Sequence, residues 1–599
     1  VTGVQTCALP IYTAQIGALS VAQLGNLTTR QVASLTATQI MGLSGDQLET
    51  LGTAYFSNLT TVQLQALTST QVASMTTTQL AYLKTDQFST ILTSQITALT
   101  TDQIIALTAT QFGALITSQL LVFSTDQIAS IETNDISALV TANIAGLTSS
   151  QLIAFSADQI DALNTNQLRS LTARQISSLI EAQVQTLSTQ ALSALQTTQI
   201  QALLSGQVAW LDTEQLASLS TDQLITITTS QIEALSDAQI AGLTTKQISS
   251  LTTRQVLALN TYQLQALETE DFERLTTSQI AALTTKQIAS LNAEEIVALS
   301  TQQASSLSAL QIKALTTDQI SAFETDDLKV FSTSQIQAIL SSQITALSTN
   351  QLIDLSTNQI RSLLTAQVRA FSADEITALT TAQVSSLTTL QLAAFTGSQI
   401  SAIETIDLIT LATNQILAFK TDQVRALTTD QISELTTTQT RALGTLQLKA
   451  FTTDQLPSFT TDQIASFSTT QLPSLLTTQI RVFGIDQLAA LTTQQIRSLA
   501  ATQIAALSTS QITSIETEDI AALTTAQVQA LSTMQFQALS IDQTSSLTTA
   551  QVRSLSLAQA KSLTTDQIEN LTTGQVMALS VANLQAMSTA QMKIGRAHV

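Results

Sequence analysis

Leu99-Thr100-Thr101-Asp102-Gln103-Ile104-Ile105-Ala106 is one statement of an eight-residue phrase, and the sequence on either side repeats it in register. Label its positions a to h: a is Leu, b and c the hydroxyl pair, d variable, e Gln, f Ile, Val or Leu, g variable and h small. From Leu19 to Met587 every eighth residue is Leu, Ile, Phe or Met, 72 consecutive a positions without an insertion or deletion. Of the 73 e positions from Gln15 to Gln591, 62 are Gln, so e is held almost as tightly as the apolar sites and points to a structural role in every unit. Self-similarity at a fixed period is the signature of a solenoid or array.

One continuous helix does not fit this period. Eight residues at about 100° each advance ~80° per repeat, so the a/f stripe would wind around the helix. A break is needed in every octad, and Ser/Thr at b with Gln three residues later supplies it as a capping box. With b as N-cap, a and f fall on the two positions of a hydrophobic staple. Asp is frequent at d, as in Asp46, Asp102, Asp126 and Asp222, where an anion suits the helix dipole; Arg361, Arg369, Arg425 and Lys449 stand at g, nearer the other end. Arg30, Arg174 and Lys246 break that bias at d. A helix of under two turns does not persist alone, because nucleation is costly and burying two side chains does not offset ordering eight backbones. The expected fold is therefore all-α, a solenoid of very short capped helices, one per octad, with a and f inward and d and g outward.

A β-solenoid is the alternative. Pro457 and Pro473 sit at g, inside the proposed helices, and the β-branched residues at b, c and f suit strands. Against it stands parity: a and f lie three apart and would face opposite sides of an unbroken strand.

Residues 1–11 and 594–599 resemble translated sequencing-adapter DNA, and the expected array runs between them, over 12–593. Cys7 and His598, the sole Cys and His, lie in those flanks. Without them, disulfides, thiolate or imidazole catalysis and the usual zinc sites are unavailable. The formal net charge is −20, which argues against nucleic acid or an anionic membrane as partner. No apolar run of 18 residues spans a bilayer. A cysteine-free, acidic, hydroxyl-rich array suits an extracellular or cell-surface protein.

Five octads replace b and e together with acids: Glu132 with Asp135, Glu268 with Asp271, Glu324 with Asp327, Glu404 with Asp407, and Glu516 with Asp519. Glu270, Asp326 and Glu518 add a third acid, so oxygen-only ligation of calcium is one reading. The other is an alternative helix start, with Asp or the c Thr taking over the cap and the acids facing water. Tyr55, Phe56, Trp210, Ala304, Thr440, Thr544 and Ala560 read as local packing variation. No catalytic or cofactor-binding residue is assigned and no cofactor is implied: the sequence has no Walker-type or GxGxxG loop and no nucleophile elbow.

The phrase Leu251-Thr252-Thr253-Arg254-Gln255-Val256 resembles the helix start of transcription activator-like effector repeats, but their longer repeat and base-reading residues are missing. Over 12–593 the chain resembles the Thr/Gln-rich octad arrays of very large bacterial exoproteins, often labelled heme-utilisation or adhesion-related. That resemblance implies a non-enzymatic structural or adhesive region, a stalk or scaffold of an exported protein. The alternative is an array that itself binds a polymer, glycan, ice or protein ligand. The absence of His and Cys between the flanks speaks against a heme site.

Overall fold

Each octad turns once into a helix and stops. In the computed structural model, which describes residues 12–595, Thr100 is extended (φ −77°, ψ 162°) and caps the helix Thr101–Ile105. Its hydroxyl accepts from the Gln103 amide at 3.2 Å, and its own amide donates to Gln103 Oε1 at 2.9 Å. The Leu107 amide then donates to the Ile104 carbonyl at 3.2 Å, and the chain turns extended into the next cap. The same sequence of events gives 71 α-helices and two 3₁₀ helices among the described residues, with no strand among them. The helical solenoid is thus the observed fold, and the β-solenoid is set aside. The adapter-like residues 1–11 and 596–599 lie outside the described residues.

The two prolines explain how helix and proline coexist. The octads of Pro457 and Pro473 tighten into the 3₁₀ helices Leu456–Ser458 and Leu472–Ser474. At g a proline removes one intrahelical donor and crowds one carbonyl; i→i+3 bonding, as from the Ser458 amide to the Gln455 carbonyl at 3.1 Å, relieves both. Leu456 and Phe459 stay fully buried, so the repeat continues with its core intact.

The chain divides into two compact units, Val1–Leu299 and Ser300–Val599. Within each, helices three apart in sequence pack side by side, as Ser205–Ala209 does on Thr229–Ala234 and Ala501–Ala506 on Thr525–Ala530. Rather more than three octads thus complete one turn. The f side chains from Ile16 to Ile568 and the a side chains from Leu43 to Leu579 fill the interior. Consecutive a residues touch along it: Phe451 and Phe459 meet edge-on with ring centroids 5.1 Å apart. The d and g side chains face water.

Candidate functional site

The recurrent polar element is the e-position Gln, and it does two jobs. Gln263 accepts from the Asn260 amide at 2.8 Å through Oε1, closing the start of its own helix. Through Nε2 it donates to the carbonyls of Ile232 at 2.9 Å and Leu235 at 2.7 Å, 31 and 28 residues back. Those are the f and a carbonyls at a helix end in the preceding turn, where the last carbonyls have no intrahelical partner. Gln63 reaches three such groups, on Val32, Ala33 and Leu35. One amide therefore caps an N-terminus with its oxygen and a C-terminus, one turn below, with its nitrogen. Burial makes this matter: Gln263 is 0% exposed, and a buried polar group left unpaired is costly.

The oxygen half persists where the hydroxyl half is missing. Leu92 and Gly444 stand at b, yet their amides still donate to Gln95 and Gln447 at 2.9 and 2.8 Å. The nitrogen half has a sequence signature that capping alone does not explain. Glu serves a capping box as well as Gln, yet Glu fills e only at Glu295 and Glu375. Asp adds five more carboxylates at e, but 62 Gln far outnumber the seven acids, the bias that a donating buried end produces.

The other departures from Gln are graded by what they can donate. Asn143 and Asn583 keep the link, Nδ2 donating to Leu115 at 2.7 Å and to Leu555 at 3.1 Å. Tyr55 keeps it through its hydroxyl, which donates to the Leu27 carbonyl; its presence is a substitution of donor rather than mere packing variation. Thr440 and Thr544 depart at f instead, beside an intact e Gln, and turn their buried hydroxyls onto the Thr436 and Ser540 carbonyls of their own helices at 3.0 and 2.9 Å. Ala191 has no side-chain donor at all.

The acidic octads divide in a way the sequence does not reveal. Glu132, Glu268, Glu324, Glu404 and Glu516 are exposed and stand at the N-caps of their helices, but none makes a side-chain cap hydrogen bond. Asp135, Asp271, Asp327, Asp407 and Asp519 are buried. The expectation that all these acids face water is therefore corrected for the five Asp residues, because e lies in the interior in these octads. Burial raises Asp135, with the Glu132 charge adding to it. Burial also raises Asp271 and Asp519, against the lowering effect of hydrogen bonds from Thr245 and Thr493 in the preceding turn. Asp327, desolvated and beside Glu324, is pushed up to about 6. Each predicted Glu–Asp pair is split between surface and interior, and among the described residues no group of three or more His, Cys, Asp or Glu is placed to hold a metal ion. Lys329, at the surface, bridges Asp326 at 3.1 Å and Asp354 at 3.3 Å, a contact of small energetic weight.

The ALTTAQ repeat model matches residues 128–165, 208–245, 264–301, 320–357, 353–389, 400–437, 437–469 and 512–549. Eight ALTTAQ repeats are thereby found along the chain. The six letters are positions h to e, spelled out at Ala378-Leu379-Thr380-Thr381-Ala382-Gln383 and at Ala522-Leu523-Thr524-Thr525-Ala526-Gln527. The ALTTAQ phrase thus contains the cap, the inward Leu and the cross-linking Gln. No curated protein matches the chain. The solved structure titled "Structure of APUM23-GGAAUUGACGG" aligns over 98% of this chain and 96% of its own at 11% identity, with a TM-score of 0.10 that carries no argument. Among the described residues no helix is long and apolar enough to cross a membrane.

Proposed function

We propose that the chain is a non-enzymatic structural array, the stalk or scaffold of a larger exported bacterial protein at the cell surface. The observation that supports this is the use to which the buried chemistry is put. The most frequent buried polar side chain, the e Gln, is spent on joining one turn to the next, and the variable residues at d and g lie in water. A chain so made tolerates addition or loss of octads, as a spacer requires. Protease shaving of intact source cells tests it. Release of array peptides is expected, and an array that stays protected until lysis overturns the surface assignment.

A second reading is an array that itself binds a polymer, a glycan, ice or a protein. Apolar b residues favour it, because they recur at 24-residue intervals and so stack on adjacent turns. Leu92, Ile116 and Val140 form one such exposed row and Leu340 with Leu364 another, on helices that pack together. Retention of the full chain on an ice or glycan matrix supports this reading; uniform flow-through counts against it.

A further inference from the structure

Glu295 occupies the Gln position with the wrong charge for it. Its octad begins at Asn292, the same cap residue that begins the Gln263 octad. The two starts are alike: Asn292 Oδ1 accepts from the Glu295 amide at 2.8 Å, and the Asn292 amide donates to Glu295 Oε2 at 2.7 Å. The corresponding Asn260 distances are 3.0 and 2.8 Å. Glu and Gln have the same length, so with Oε2 anchored as Gln263 Oε1 is, Oε1 falls where Gln263 carries its amide nitrogen. There it is buried and without a hydrogen-bond partner, and the residue is 2% exposed. The register of the Gln links, as from Gln263 to Leu235, assigns the Leu267 carbonyl, 28 residues back, to that place. An ionised carboxylate offers it only a lone pair.

We propose that Glu295 is a proton-operated cross-link: ionised, it caps its own helix only, and protonated, its Oε1–H donates to the Leu267 carbonyl and joins the two turns as Gln does elsewhere. The heavy-atom spacing of the Gln links, 2.7 Å at Gln263 to Leu235, is that of an O–H···O bond. A calcium ion takes about six to eight oxygen ligands, and among the described residues no group of three or more acids is placed to supply them. The surrounding charges are mostly of one sign. Glu294 lies on the same helix, Ala293–Val297. The helix Thr269–Arg274 packed against it carries Glu270, Asp271, Glu273 and Arg274, with Glu268 at its cap, and the preceding helix Thr285–Ser290 carries Lys286. Desolvation first, and then the Glu294 charge, raise Glu295 above the usual carboxylate range, against the hydrogen bond from Asn292. A raised folded-state value means the folded turn holds the proton more tightly than the unfolded chain. The extra stability is complete at low pH and is lost as pH rises through the folded value. Glu375 repeats the geometry, the Ser372 amide donating to Oε2 at 2.6 Å while buried Oε1 has no partner.

Hydrogen exchange of the full chain, read on peptides and corrected for intrinsic rate, tests this. The protection of the Glu295 octad is divided by that of the Gln199 octad, whose link runs to Leu168 and Leu171 and which takes no part in the Glu295 contact; the division cancels effects of net charge. From about pH 7.5 to about pH 5 this ratio is expected to rise on the order of tenfold. In Glu295→Gln it is expected to be high at both values, and in Glu295→Ala low at both. A wild-type ratio independent of pH overturns the proposal. So does a Glu295→Gln ratio that keeps the wild-type pH dependence, or a wild-type ratio raised at neutral pH by millimolar calcium.

Discussion

The octads of Gln263 and Ala191 fold alike with very different bonding. Both begin at an extended cap whose side chain accepts from the e amide, Asn260 at 3.0 Å and Ser188 at 3.2 Å. Both bury a and f, Leu259 with Leu264 and Leu187 with Leu192. Gln263 adds three hydrogen bonds, one to its own cap amide and two to the preceding turn, whereas Ala191 adds none. The helix start and the apolar stack are therefore sufficient for a single octad within an array. The Gln supplies attachment between turns, and each turn is held by several such residues, so one gap is bridged by its neighbours. This is the nearest-neighbour logic of a solenoid.

The largest break in that comparison comes from making the first octad resemble the second. Gln263→Ala leaves a cap amide and two buried carbonyls without their partner, and a local loss of about 2–3 kcal/mol is expected by hydrogen exchange of that octad. A loss below about 0.5 kcal/mol would show the cross-link to be incidental. Charge sharpens it next. Asp327, pushed up to about 6 from 3.8, binds its proton more tightly in the folded chain. Its octad should be most stable below about pH 4 and lose up to about 2 kcal/mol as pH rises through about 6. Asp327→Asn should flatten that profile in a pH series of exchange rates, and an unchanged slope would assign the titration elsewhere. The reverse repair, Ala191→Gln, should stabilise its octad by about 1 kcal/mol, seen as slower exchange of residues 189–195. The smallest effect is expected at the 3₁₀ octads. Pro457→Ala restores an α-helical donor but loosens the unfolded chain, so the net change should stay within about 0.5 kcal/mol. Circular dichroism should show a slight gain in helix.

Much of the architecture is legible because its causes are local. The Thr100–Gln103 cap lies within four residues, and Leu99 and Ile104 announce the core by type and spacing. The prolines at 457 and 473 mislead, since a residue that forbids an α-helix still permits a 3₁₀ turn. The acids mislead for a different reason: Glu132 and Asp135 look like a pair, but b is at the surface and e is inside.

By itself, then, the sequence determined the eight-residue unit, the helix start in each, the inward pair a and f, and the need to stack. The tertiary structure alone decided how many octads make a turn and what the far end of each Gln touches. The physical reason is the identity of the acceptor. The partners of Gln263 are main-chain carbonyls 28 and 31 residues away. Every residue carries a carbonyl, so no side-chain pattern marks those two, and only the closing of the turn brings them under the amide.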